Sequence, residues 1–190
     1  MNRSIYFPSQ LFGVALVLTG CMMVRAPSVK ELHSLDRPPI DVVAKIEKLF
    51  PQALEWYDHV EGQLSPMGRP LSETEVAVAR KLKVLHPERV RVVVLARFPM
   101  PENRELRAQA KRYGMGSYFE GGRAFGYVIM LKPRYADNLT VISHELVHVS
   151  QYDRLGRIAF VRRYLVEMEI MGYARSPLEL EAYQKQDVAQ

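Results

Sequence analysis

Residues 138–156 read NLTVISHELVHVSQYDRLG, and the way this stretch is wound organises the rest of the chain. No Gly or Pro interrupts residues 139–155, Asp137 or Asn138 suits an N-cap, and Gly156 stands where a C′ glycine stops a helix. On that helix Ile142, Leu146 and Val149 form an apolar stripe, with His144, His148 and Tyr152 on the opposite one. The expectation is a helix buried on one side that presents its imidazoles on the other. Residues four apart lie one turn up the same face, so His144 and His148 can reach one metal ion while Glu145 is turned about 100° aside. Two neutral imidazoles, a third protein ligand and a neighbouring carboxylate able to deprotonate a water make up a hydrolytic Zn2+ site.

The third ligand must be a carboxylate, because no His or Cys follows His148. The candidates are Asp153, Glu167, Glu169, Glu179, Glu181 and Asp187. Asp153 points away from His144 on its own helix, and Glu169 falls on the outer face of the next one. Glu167 shares a face with Phe160, Tyr164 and Met171 on a helix from about Ile158 to Met171, which sets a carboxylate among apolar neighbours and demands a partner for it. Glu179 lies in SPLELEAY, residues 176–183, where Ser176 can be N-cap, Pro177 N1 and Glu179 N3. That spacing also fits a capping box in which Glu179 does no more than bond the Ser176 backbone. Helix faces alone leave Glu167 and Glu179 level, with Glu181 behind them.

Elsewhere the pattern predicts helices over about 40–50 and from Pro51 to Leu64, then a capping box at Ser72 to Glu75 opening a helix that stops before Pro87. Val90 to Leu95 is a short β-branched run that reads as a buried central strand. A helix over 102–112 ends at Gly114. Tyr118 to Glu120 and Ala124 to Leu131 read as a hairpin turned at Gly121-Gly122, closed by Pro133. The expected class is α+β, with a small antiparallel or mixed sheet packed on the histidine helix.

The HELVH motif followed at a distance by Glu179-x-x-Ala182 resembles the gluzincin class of zinc metallopeptidases. The resemblance covers about Leu71 to Ala182 and implies a zincin-like fold, a small sheet packed on the HExxH helix and followed by a glutamate helix. It implies Zn2+ held by His144, His148 and Glu179, Glu145 as the catalytic base, and a polypeptide substrate bound by strand addition to the edge strand that precedes the site. Glu167 and Glu181 remain the other candidates for the third ligand. Tyr183 stands where many relatives carry Asp, and no residue matches the oxyanion-stabilising His or Tyr of larger members. Tyr152, Tyr173 and Tyr183 lie within sequence reach of that task, and Gln151 of orienting His148.

At the other end, Arg3 precedes the apolar run Leu11 to Leu18, small residues Thr19-Gly20 and then Cys21, the chain's single cysteine. The order is that of an export signal too short to span a bilayer. Leu18-Thr19-Gly20-Cys21 resembles the lipobox of bacterial lipoproteins, which implies cleavage before a lipidated Cys21. The expected organisation is a signal peptide over 1–20, a lipidated tether over 21–39 ending in Pro38-Pro39, and a metallopeptidase domain over 40–190. Met22 is not the aspartate tied to inner-membrane retention, so the resemblance points to the outer membrane, facing the periplasm. The formal charge of +5 over 190 residues is mild, and basic and aromatic residues are not interleaved as nucleic-acid binding would require. Two other readings carry different chemistry: a structural or vestigial zinc site in an envelope lipoprotein, and a scaffold lipoprotein whose HELVH is accidental.

Overall fold

The computed structural model describes residues 25–189; the expected signal peptide and Cys21 lie outside them. The class is α+β. Helices α1 (Val29–Asp36), α2 (Ile40–Leu64), α3 (Glu73–Lys81), α4 (Arg104–Arg112), α5 (Leu139–Leu155), α6 (Arg157–Ile170) and α7 (Pro177–Lys185) surround strands β1 (Arg69–Pro70), β2 (Arg91–Val94), β3 (Gly122–Phe125) and β4 (Val128–Leu131). The sheet runs β1-β2-β4-β3, with β2 and β4 parallel and the other two pairs antiparallel. None of the described helices is long and apolar enough to cross a membrane.

Alternation along the strands splits the core into two layers. Val92, Ile129 and Leu131 face α3 and α5, meeting Val78, Ile142 and Leu146. Val93, Val128 and Met130 face α2 and α6, meeting Phe50, Tyr57 and Phe160. Every residue of β4 is buried because the sheet is covered on both faces. The histidine helix is therefore pressed flat against one side of the sheet, directly under its edge strand β3.

Four expectations are corrected. The α2 helix runs unbroken through Pro51, since Pro51 is exposed and its flanking face, Leu49, Phe50, Ala53 and Tyr57, is buried. Packing there outweighs the lost hydrogen bond, which costs about 3 kcal/mol. The tether region contains α1, opened by a Ser28–Glu31 capping box and tied to the domain by Glu31–Arg175 and Asp36–Arg163 ion pairs. Eight residues with only Leu35 buried leave little amphipathic signal in the sequence. The α3 helix ends at Lys81, earlier than expected, and Lys83 turns the chain with φ of 63°.

The hairpin turns at Gly126-Tyr127, inside the run expected to be one strand, so β3 is the edge and β4 is internal. Gly126 has φ of 56°, and its N–H donates to the Tyr57 hydroxyl. The Tyr127 N–H donates to Glu61 Oε1 at 2.9 Å. Both acceptors belong to α2, far away in sequence, which local turn chemistry cannot anticipate. Tyr118 and Phe119 lie in an exposed loop instead of a strand.

Candidate metal centre

Asn138 caps α5 by accepting from Val141 N at 2.9 Å, and Gly156 ends it with φ of 77°. From Val141 to Val149 the helix is buried all round, in contrast to the one-sided burial expected. His144 and His148 are each 7% exposed, because α7 and the turn Gln186–Ala189 cover the histidine stripe.

The placement of α7 decides between the candidate carboxylates. Glu167 Oε2 accepts from Ser176 Oγ at 2.6 Å and from Leu178 N at 2.9 Å, while its Oε1 accepts from Arg163 Nε at 2.6 Å. It is a buried clamp on the first turn of α7, an anionic group at a helix N-terminus. Ala182 is fully buried against α5, and Gln151 Nε2 donates to Leu178 O at 2.9 Å, closing the two helices together. Ser176 Oγ accepts from Glu179 N at 3.3 Å, the first half of a capping box. The second half is missing: the Glu179 carboxylate turns instead to the imidazoles.

Glu179 Oε2 lies 3.3 Å from His144 Nε2, and Oε1 lies 3.5 Å from His148 Nε2. Ligand atoms of the three buried residues all fall within 4.8 Å of one another, and this group could hold a metal ion. The contacts are wider than a charge-assisted hydrogen bond of about 2.8 Å. Glu179 Oε2 has no hydrogen-bond partner among the described residues, an orphan of the kind a cation satisfies. Tyr164 fixes the carboxylate from behind, its hydroxyl donating to Oε1 at 2.8 Å.

Both imidazoles are held from the far side by amide oxygens. Gln151 Oε1 is 2.9 Å from His148 Nδ1 and Gln186 Oε1 is 3.2 Å from His144 Nδ1. The Gln151 amide orientation follows from its Nε2, which donates to Leu178 O and to Glu181 Oε2. An acceptor at Nδ1 favours a proton there, so that a neutral ring turns its Nε2 lone pair toward the cluster. Tyr183 packs edge-on against His144 with centroids 4.7 Å apart, so the acceptor for that ring comes from Gln186. Gln151→Leu is expected to lower metal affinity 10- to 100-fold with the helix content unchanged, checked by competition against a chelating dye.

Glu145 is 5% exposed and forms no hydrogen bond with the described residues. Its carboxylate lies against the start of β3, where a Cβ on Gly122 would come within 2.5 Å of Oε1. Any larger residue at Gly122 would push the Glu145 carboxylate from this position. Burial pushes the Glu145 carboxyl up, partly offset by the neighbouring imidazoles. Burial alone would push His148 down, but the Glu179 carboxylate outweighs it and holds the imidazole up to about 9. Burial likewise opposes the Glu179 charge, and the two imidazoles override it, keeping Glu179 well below the usual carboxylate range. The metal-free site thus carries a proton at pH 7 that a metal must displace. Isothermal titration in buffers of different ionisation enthalpy should show about one proton released per ion, with apparent affinity rising as pH increases toward 9.

Asp153, Glu169 and Glu181 are engaged elsewhere. Asp153 accepts from Leu85 N at 2.7 Å and from the Tyr127 hydroxyl. Glu169 pairs with Lys45 at 2.8 Å, and Glu181 with Arg154 at 2.9 Å and Lys185 at 2.6 Å. Tyr152 packs among Tyr57, Tyr127 and Phe160, whereas Tyr173 and Tyr183 border the cavity beside the cluster. Sequence reasoning missed Gln186 and the role of Tyr164. Nothing in the sequence marks Gln186, which reaches His144 only because the chain turns back after α7. Comparison of the chain with known protein families, curated proteins and solved structures finds no match.

Proposed function

We propose that the chain is a zinc-dependent peptidase of gluzincin type, anchored at the bacterial envelope through Cys21. The observation that carries this reading is the convergence of His144, His148 and Glu179 on one focus with Glu145 beside it, all bordering a cavity of about 520 Å³. The donor set, two imidazole nitrogens and a carboxylate, suits zinc, and the contacts of 3.3 and 3.5 Å match the roughly 3.3 Å edge between neighbouring ligands of a tetrahedral ion. Three protein ligands leave a fourth position, which distinguishes a catalytic site from a closed structural one.

A zinc ion held there supplies Lewis acidity, polarising a carbonyl and bringing the pKa of a water down toward ~7. Glu145 takes the proton of the attacking water at its carboxylate and returns it to the departing nitrogen. Burial raises the Glu145 carboxyl, which makes its carboxylate a stronger base toward the proton of the water. The outer edge of β3 has no strand partner among the described residues and offers backbone groups to an extended chain, which supports a polypeptide substrate. The engagement of Glu167 by Ser176, Leu178 and Arg163 argues against a closed four-ligand site containing both glutamates.

The test uses the chain from residue 22 onward. It should bind one zinc ion and cleave members of a mixed peptide library; chelation should remove both properties, and added zinc should restore both. Absence of zinc would return the scaffold reading, and bound zinc without cleavage the structural one.

A further inference from the structure

The cavity beside the cluster is larger than a scissile peptide group needs. Away from the cluster its wall is apolar, drawn from Leu49 and Trp56 on α2, Leu106 on α4, Phe125 on β3, and Phe160 and Leu165 on α6. Two of the polar side chains that reach this wall are already engaged. Arg123 is ion-paired with Glu120 and donates to Pro99 O at 2.7 Å, and the Tyr113 hydroxyl donates to Glu169 at 2.7 Å. A peptide backbone entering the cavity would bury N–H and C=O groups without partners. Side chains can enter; the main chain finds backbone partners only along the β3 edge.

The β3 strand fixes where that main chain lies. Gly122 to Phe125 line the cavity along their whole length, and the outer edge of the strand is unpaired among the described strands. A substrate strand added there sends every second side chain to the same face, about 7 Å apart. The volume of about 520 Å³ is several times the ~150 Å³ of an apolar cavity that holds one benzene ring. One side chain cannot fill it. Building on the peptidase reading above, we propose that the site selects polypeptides bearing two bulky apolar side chains two residues apart beside the cleaved bond, both seated in this cavity.

Trp56, the chain's single tryptophan, lines the cavity and reports its filling. Trp56 fluorescence of the metal-free chain is titrated with capped peptides carrying Phe at positions i and i+2, at i alone, or Ser at both, and with lauric acid. The paired peptide should bind roughly tenfold or more tightly than the single one, as one further buried apolar side chain requires. The zinc-loaded chain should then cut beside the pair. Ala53→Phe and Ala110→Phe, which fill the cavity from α2 and from α4, should each erase the advantage of the pair. Equal binding of Phe-paired and Ser peptides overturns the proposal, as does tight binding of lauric acid with none of the peptides. Cleavage indifferent to the pair overturns the proposal and leaves the peptidase reading standing. Tight binding of the pair without any cleavage supports cavity selection and removes the peptidase reading.

Discussion

Glu145→Gln is expected to lower peptide hydrolysis by about 10²- to 10⁴-fold while the chain still binds one zinc ion, the range over which general acid–base catalysis contributes. The substitution keeps the shape of a side chain that lies close against Gly122. It removes the capacity to take a proton and changes nothing in the His144, His148 and Glu179 set. The loss should therefore fall on kcat, with KM little changed, because Glu145 acts on the water and not on the bound chain. Zinc stoichiometry measured on the same preparation separates this from collapse of the site. Unchanged hydrolysis in the variant, with zinc bound, would remove Glu145 from the chemistry.

Much of this centre was legible in the sequence because it is local. Asn138, the uninterrupted run to Leu155 and Gly156 define α5, and helical spacing alone puts His144 and His148 on one face. The Ser72–Glu75 and Ser176–Pro177 starts are local as well, and both helices begin there. The carboxylate that joins the two imidazoles was not local. Glu167 and Glu179 each sit on a credible helix face, and what divides them is the docking of α7, through contacts 9 and 11 residues apart at Glu167 and 27 apart at Gln151. The hairpin failed for a similar reason: Gly121-Gly122 is the stronger turn signal, but Tyr57 and Glu61 of α2 satisfy the backbone at Gly126-Tyr127 instead. Gly121-Gly122 has another task. A Cβ at Gly121 would lie 2.9 Å from the Tyr135 ring, and one at Gly122 would strike Glu145, so the pair lets the edge strand pass close over the site.

The clamp on α7 leads to the second large effect, at a residue that never touches the metal. Glu167→Ala should destabilise the fold by about 3–5 kcal/mol, because two buried donors lose their acceptor at about 1–3 kcal/mol each. It leaves the Arg163 guanidinium without its partner there and deprives the buried Ser176 hydroxyl and Leu178 N–H of their acceptor. Thermal melting should drop by about 6–20 °C for a chain of this size. Because the first turn of α7 carries Glu179, metal affinity should fall as well, by way of position and not of ligation. Glu179→Gln supplies the contrast when melting is compared above about pH 9, where His148 has lost the proton that Glu179 holds on it: it should lose metal binding while melting close to the parent, since the amide retains an oxygen for Tyr164. If the two variants behaved alike, losing metal without losing stability, Glu167 would be a second ligand-bearing residue and the distinction drawn between clamp and ligand would fall. A variant of Glu167 that melts early and binds metal weakly, beside a variant of Glu179 that melts normally and binds none, is the signature of one carboxylate holding the helix and the other holding the ion.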